Sequence, residues 1–309
     1  MWAGKRLISG CIVLMFIVGC TGEAPEKPAG RNTPPSIRSI KVTPENPSTD
    51  TELRVELKAH DSEGDPVQYQ YQWVKNGRDI PGANGQTLTG DHFRKGNSIS
   101  IRVAPSDGKL QGKEAFSDPI RIFNSIPKVT MISIDPEFPR RNSPLKARVE
   151  ASDPDGDTIA FSYQWVKNGN VLMGEHSEIL RDSTLRKGDK VTLRVTPYDM
   201  EGTGEQVASQ EIAILNSAPI ITSSPQAQKL KSTLYRYQVV AQDPDGDPIT
   251  FSLSPSSPRG MTIDPQTGLI QWKIGRDDAG THTIEIIATD GDEGRCTQKY
   301  NLTIRTPRS

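Results

Sequence analysis

Apolar and polar residues alternate along most of this chain with a period of two. Leu53, Val55, Leu57 and Ala59 are interleaved with charged residues, and Val67, Tyr69, Tyr71 and Trp73 with Gln68, Gln70 and Gln72. Leu145, Ala147, Val149 and Ala151 repeat the first run, and Ile159, Phe161, Tyr163 and Trp165 the second. Tyr235, Tyr237, Val239 and Ala241, then Ile249, Phe251 and Leu253, do so again. Successive side chains leave a strand on opposite faces, so this pattern predicts β-strands with one buried face. Asn76-Gly77 and Asn168-Gly169 fall between alternating runs, where an Asn-Gly pair favours a tight hairpin. No window longer than a turn carries helical periodicity.

The chain also repeats itself. Tyr71-Gln72-Trp73-Val74-Lys75-Asn76-Gly77 recurs 92 residues on as Tyr163-Gln164-Trp165-Val166-Lys167-Asn168-Gly169. The same offset carries Pro44-Glu45 onto Pro136-Glu137, Arg94-Lys95-Gly96 onto Arg186-Lys187-Gly188, and Asn124-Ser125 onto Asn216-Ser217. A third unit shares only its first half: Asp243-Pro244-Asp245-Gly246-Asp247 matches Asp153-Pro154-Asp155-Gly156-Asp157. Units of this length with about seven short strands predict β-sandwiches.

On the D-x-D/E-G-D turn, the Y-Q-W-x-K-N-G strand and the closing N-S-x-P, the first two units resemble bacterial immunoglobulin-like or PKD-like repeats. The third resembles a cadherin-like, dystroglycan-type immunoglobulin repeat, through Asp243 to Asp247, Gly260 to Gly268, Ile270-Gln271-Trp272, Ala279-Gly280-Thr281 and Ala288-Thr289-Asp290-Gly291. The expectation is an all-β chain of three tandem sandwiches in a rod, at residues 35–126, 127–218 and 219–309. Such modules serve as spacers, adhesins, sugar binders and assembly parts, so the likeness is informative about fold and not about ligand.

The N-terminus reads as an address. Lys5 and Arg6 precede an apolar run that is too short to span a bilayer and ends Ile17-Val18-Gly19-Cys20. This resembles the lipobox of bacterial lipoproteins, which implies a signal peptide at 1–19, cleavage before Cys20 and lipidation of that cysteine. Several acyl chains anchor a protein stably, so the expected site is the cell envelope. Thr21, where inner-membrane retention in enteric bacteria uses Asp, points to the outer membrane. Residues 20–34, with Pro25, Pro28 and Pro34, read as the lipidated cysteine and a semi-extended tether.

Composition narrows the chemistry. The formal net charge is −1, which gives no reason to expect a nucleic-acid partner. Three Cys and four His exclude a disulfide scaffold and a Cys/His metal array. Cys11 lies within the cleaved segment and Cys20 is acylated, so Cys296, in an alternating run, is expected as a buried inert thiol. His60, His92, His176 and His282 do not recur at repeat positions, and no catalytic motif is present. The chain is therefore read as non-enzymatic.

Acidic loops are the remaining candidates. Asp61, Glu63 and Asp65, then Asp153, Asp155 and Asp157, then Asp243, Asp245 and Asp247, each place three carboxylates within five residues. Asp107, Asp199 and Asp290 lie in the loop before each unit's last strand. In a sandwich these two loops share the pole where the chain enters. Two readings stand side by side. One is calcium, a hard cation taking 6–8 oxygens, with Asn124 and Asn216 as further donors; the resemblance to cadherins implies such sites at domain junctions. The other is a solvated turn, with Gly64, Gly156 and Gly246 at positive φ and Asp side chains bonding the backbone.

Trp73 and Trp165 alternate in phase with core positions and are expected to pack there. Trp272 suits a core or an interface equally. Taken together, the features predict a lipid-anchored scaffold for binding, adhesion or assembly, whose divergent third unit meets an envelope or extracellular protein. A carbohydrate-binding surface protein and a passive spacer are the alternatives.

Overall fold

The computed structural model describes residues 31–225 and 233–305. The lipobox, Cys20 and the signal peptide lie outside the described residues, as does the tether before Arg31. Apart from two three-residue 3-10 turns, every regular element described is a β-strand. The chain divides into two compact units. The first contains Glu52–His92 and Asn97–Arg121 with the chain up to Pro47, and the second contains Ser48–Thr51, Phe93–Gly96 and everything from Ile122.

In the first unit, Ser36–Thr43 pairs with Leu53–His60, which also pairs with Thr87–Leu88. The facing sheet runs Arg78–Asp79, Gln68–Lys75, Ser98–Ser106, Ala115–Phe116, with Ile120–Arg121 also on Ser98–Ser106. Leu53, Val55, Trp73, Ile99, Ile101 and Val103 are fully buried, as the alternation requires. Asn76 and Gly77 both take positive φ (50° and 78°), and Lys75 pairs with Arg78 across the predicted hairpin.

The second unit holds two sandwiches, each with its own core. The sandwich that begins at Lys128–Asp135 repeats the first unit strand for strand. Trp165 faces Leu193 as Trp73 faces Ile101, and the bulge before Ala151 matches that between Ile37 and Ser39. Its core gathers Leu145, Ala147, Trp165, Leu180, Val191, Leu193 and Val195. The last sandwich is built differently. Leu234–Gln238, Leu269–Lys273 and Met261–Ile263 form one sheet, and Thr250–Leu253, Gly280–Thr289 and Arg295–Ile304 another. Tyr235, Tyr237, Phe251, Ile270, Trp272, Ile284 and Ile286 fill it. Tandem β-sandwiches are thus the architecture of the described chain.

Candidate functional site

The three acidic loops fold alike around their first aspartate. Asp61 Oδ1 accepts the amides of Glu63 and Asp65, both at 3.0 Å. Asp153 Oδ1 accepts those of Asp155 (2.8 Å) and Asp157 (3.3 Å), and Asp243 Oδ1 those of Asp245 (2.8 Å), Gly246 (3.1 Å) and Asp247 (3.3 Å). Gly64, Gly156 and Gly246 stand at φ 81°, 77° and 86°. A tight turn aims successive N–H groups inward, and an ionised carboxylate is the strongest acceptor for them. One oxygen of each first aspartate is therefore committed to the turn. The other, Oδ2, is buried without a hydrogen-bond partner in all three.

The second loops are stapled to the entering chain. Asn124 Nδ2 donates to Asp199 Oδ2 (3.0 Å) and Asn216 Nδ2 to Asp290 Oδ2 (2.8 Å). Asn32 Nδ2 does the same with Asp107 Oδ2 (2.8 Å). Their Oδ1 atoms accept loop amides: Lys109 and Leu110 on Asp107, Glu201 and Gly202 on Asp199, Asp292 and Gly294 on Asp290. These bonds hold all three carboxyls below the usual range. The Leu110 and Lys109 amides lead for Asp107 and Asn124 leads for Asp199; for Asp290 burial pushes upward but Asn216 and the amides outweigh it. The central acid of each first loop accepts the next backbone amide: Thr33 on Glu63 (3.2 Å), Ser125 on Asp155 (2.6 Å), Ser217 on Asp245 (2.7 Å). Asn32 and Thr33 are pole residues that the motif reading missed. The signal was present, since Asn32 lies 92 residues before Asn124.

The last acid of each loop takes a lysine. Asp65 pairs with Lys109 at 3.1 Å. Lys95, in the segment that belongs to the second unit, pairs with Asp157 (2.5 Å) and Glu201 (2.8 Å). Lys187, from the Lys128–Ala213 sandwich, pairs with Asp247 (2.5 Å) and Asp292 (3.1 Å) of the last sandwich. The hydrogen bonds to Asp157 and Glu201 raise the Lys95 ammonium, and those to Asp247 and Asp292 raise Lys187. The lysines of the two Arg-Lys-Gly segments are thus counter-ions of the second and third acidic loops.

Calcium fits part of this arrangement. One oxygen each from Asp153, Asp155 and Asp157 lie within 4.8 Å of one another, and likewise for Asp243, Asp245 and Asp247. Among the described residues Asp61, Glu63 and Asp65 form no such group. The donors are all hard oxygens, the type calcium prefers. Beyond the first aspartates, Asn216 Oδ1, Ser217 Oγ and Asp245 Oδ1 are buried without hydrogen-bond partners. Asp107, Asp199 and Asp290 meanwhile use both oxygens as staples.

The other candidates fall to the fold. Trp73 and Trp165 are fully buried, with Nε1 donating to Gly85 O (3.0 Å) and Ser177 O (2.9 Å), and Trp272 is a core residue 1% exposed. Cys296 is half-buried against the last core rather than fully enclosed. His282 packs edge-on against Trp272. Among the described residues no helix is long and apolar enough to cross a membrane.

Residues 218–305 match the family model described as "Putative Ig domain". No curated protein matches the chain. Among solved structures, the chain is similar to the N-terminal eight Ig domains of Down Syndrome Cell Adhesion Molecule at 11% identity and a TM-score of 0.41, covering 89% of this chain and 37% of that one. It is similar to Protocadherin Gamma B2 extracellular cadherin domains 3–6 at 14% identity and a TM-score of 0.28, covering 87% and 77%. The three N-terminal domains of the outer capsid protein Hoc of bacteriophage RB49 are 13% identical at a TM-score of 0.28, covering 89% and 100%. The last sandwich is thus matched as an Ig-type domain, and the two repeats before it share its sandwich architecture.

Proposed function

We propose that this chain is a lipid-anchored, non-enzymatic protein of the cell envelope, an Ig-like scaffold for binding, adhesion or assembly. The carrying observation is the use made of its polar side chains. The acidic loops and the asparagines of the entering chain bond one another at the entry pole of each repeat, and Lys95 and Lys187 pair with the acidic loops of the second and third. Such groups position domains rather than transform a substrate. The lipobox ending at Cys20 supports an anchor at the outer membrane, and calcium at the acidic poles is the ligand this reading carries. The divergent last sandwich is the surface that meets a protein partner. Burial of Trp73, Trp165 and Trp272 speaks against a sugar platform built on these tryptophans.

Affinity capture from envelope extract in calcium tests this. A discrete protein held by the full chain, and lost when the chain stops near Asn216, is the expected result. Retention by the truncated chain would remove the role of the last sandwich. Enrichment of polysaccharide without protein would replace the scaffold with a sugar binder.

A further inference from the structure

The second and third acidic loops are sequence equivalents, yet three oxygens that have partners at one have none at the other. At the second loop, Thr49 Oγ1 donates to Asp155 Oδ1 and the Thr49 amide to Ser125 Oγ (3.0 Å). Lys95 Nζ donates to Asn124 Oδ1 at 2.9 Å. The position 92 residues after Thr49 is Arg141, whose guanidinium goes to Pro244 O. Lys187 bonds Asp247 and Asp292 and not the amide. The counterparts Asp245 Oδ1, Ser217 Oγ and Asn216 Oδ1 are consequently buried without hydrogen-bond partners, as is Asp243 Oδ2. Ser217 itself is 6% exposed, its hydroxyl oxygen is buried without a partner, and its backbone amide holds the other oxygen of Asp245. At the second loop only Asp153 Oδ2 is left in that state.

Buried acceptors of this kind call for a water or an ion. A water has two hydrogens to offer, and here an amide and two carboxylates present three obligate acceptors beside a hydroxyl. A divalent cation takes several oxygens at once, and one oxygen each of Asp243 and Asp245 lie within 4.8 Å of one another. The mixed set of neutral and charged oxygens suits the adaptable coordination of calcium better than the rigid octahedron of magnesium.

We infer that the chain binds one calcium ion, through Asn216, Ser217, Asp243 and Asp245, and none at Asn124, Ser125, Asp153 and Asp155, where Thr49 and Lys95 already fill the equivalent oxygens. This rests on the calcium part of the reading above and not on the scaffold role. It also departs from the expectation of equivalent sites at every acidic loop.

Calorimetric titration of the chelator-treated full chain with calcium chloride decides it, with circular dichroism confirming that each variant is folded. The expected stoichiometry is one. Asp245→Asn, which keeps the acceptor for the Ser217 amide, and Arg141→Thr, which installs the residue of the second loop, each weaken binding at least tenfold. Asp155→Asn leaves it unchanged. Absence of calcium uptake by the unmodified chain overturns the calcium reading altogether. Two sites, one lost in Asp155→Asn, would leave calcium standing and overturn its confinement to the third loop. A single site that survives Asp245→Asn overturns the assignment.

Discussion

Asn216 donates through Nδ2 to Oδ2 of Asp290 at 2.8 Å, across 74 positions of sequence. The same bond joins Asn124 to Asp199 and Asn32 to Asp107. Each sandwich is therefore clipped to its entering chain by an amide–carboxylate hydrogen bond, beside a second clip from the next backbone amide to the central acid of the other loop. An entry segment held at two points has little freedom to pivot.

Removing the clip should be costly. Asn216→Ala leaves Asp290, 7% exposed, short of a donor, and a charged acceptor so stranded costs about 1–3 kcal/mol. Asn216→Asp should be worse, because a second carboxylate replaces the donor. Urea denaturation of both variants beside the unmodified chain measures the difference.

Gly294 tests the packing behind the same clip. A Cβ there would stand 1.8 Å from Asp290 Oδ2 and 2.9 Å from Asn216 Nδ2, while one on Gly291 meets nothing within 4 Å. Gly291 stands at φ 83°, so Gly291→Ala carries only the left-handed backbone penalty of about 1–2 kcal/mol. Gly294→Ala should exceed it, because the loop must move. Equal melting midpoints for the two variants would contradict this close approach.

Stability should fall on the acid side through the stapled aspartates. Asp107, Asp199 and Asp290 titrate below their ordinary range in the folded chain. A carboxyl depressed by folding contributes stability that is present above its unfolded value, about 3.9, and lost as the pH falls through the folded value. Lys95 and Lys187 are raised, so their contribution is full below about 10.4 and lost as the pH rises through their folded values. Melting midpoints across pH should hold a plateau between these limits. Raised salt should lower the lysine contribution, because the pairs are partly open to solvent.

The tryptophans carry core energy. Trp165→Ala empties a fully buried site and strands Ser177 O, and a loss of about 3–5 kcal/mol is expected. Acrylamide quenching should be weak for Trp73, Trp165 and Trp272. Strong quenching of any of them would place that ring at the surface.

Much of the fold was legible along the chain. Strand faces follow from alternation because side chains leave a strand on fixed opposite sides, and Leu53, Val55, Leu145 and Ala147 are buried as that rule requires. Asn76-Gly77 turns where it must because two successive positive φ angles suit those residues. The 92-residue offset made Trp165 predictable from Trp73. Each first aspartate was legible as a turn residue, since the backbone amides that donate to it lie two to four positions on.

Tertiary structure decided which lone pairs of the acidic loops are filled. Lys187 meets Asp247 across 60 positions, and Thr49 meets Asp155 across 106. Such partners carry no periodicity, because they depend on how loops from distant strands converge at one pole. The 92-residue offset from Thr49 to Arg141 was visible in the sequence. That it leaves Asp245 Oδ1 without the side-chain donor that Thr49 gives Asp155 follows only from where the arginine side chain goes. A two-residue local rule sets a strand face, whereas a hydrogen bond is set by three-dimensional distance and angle.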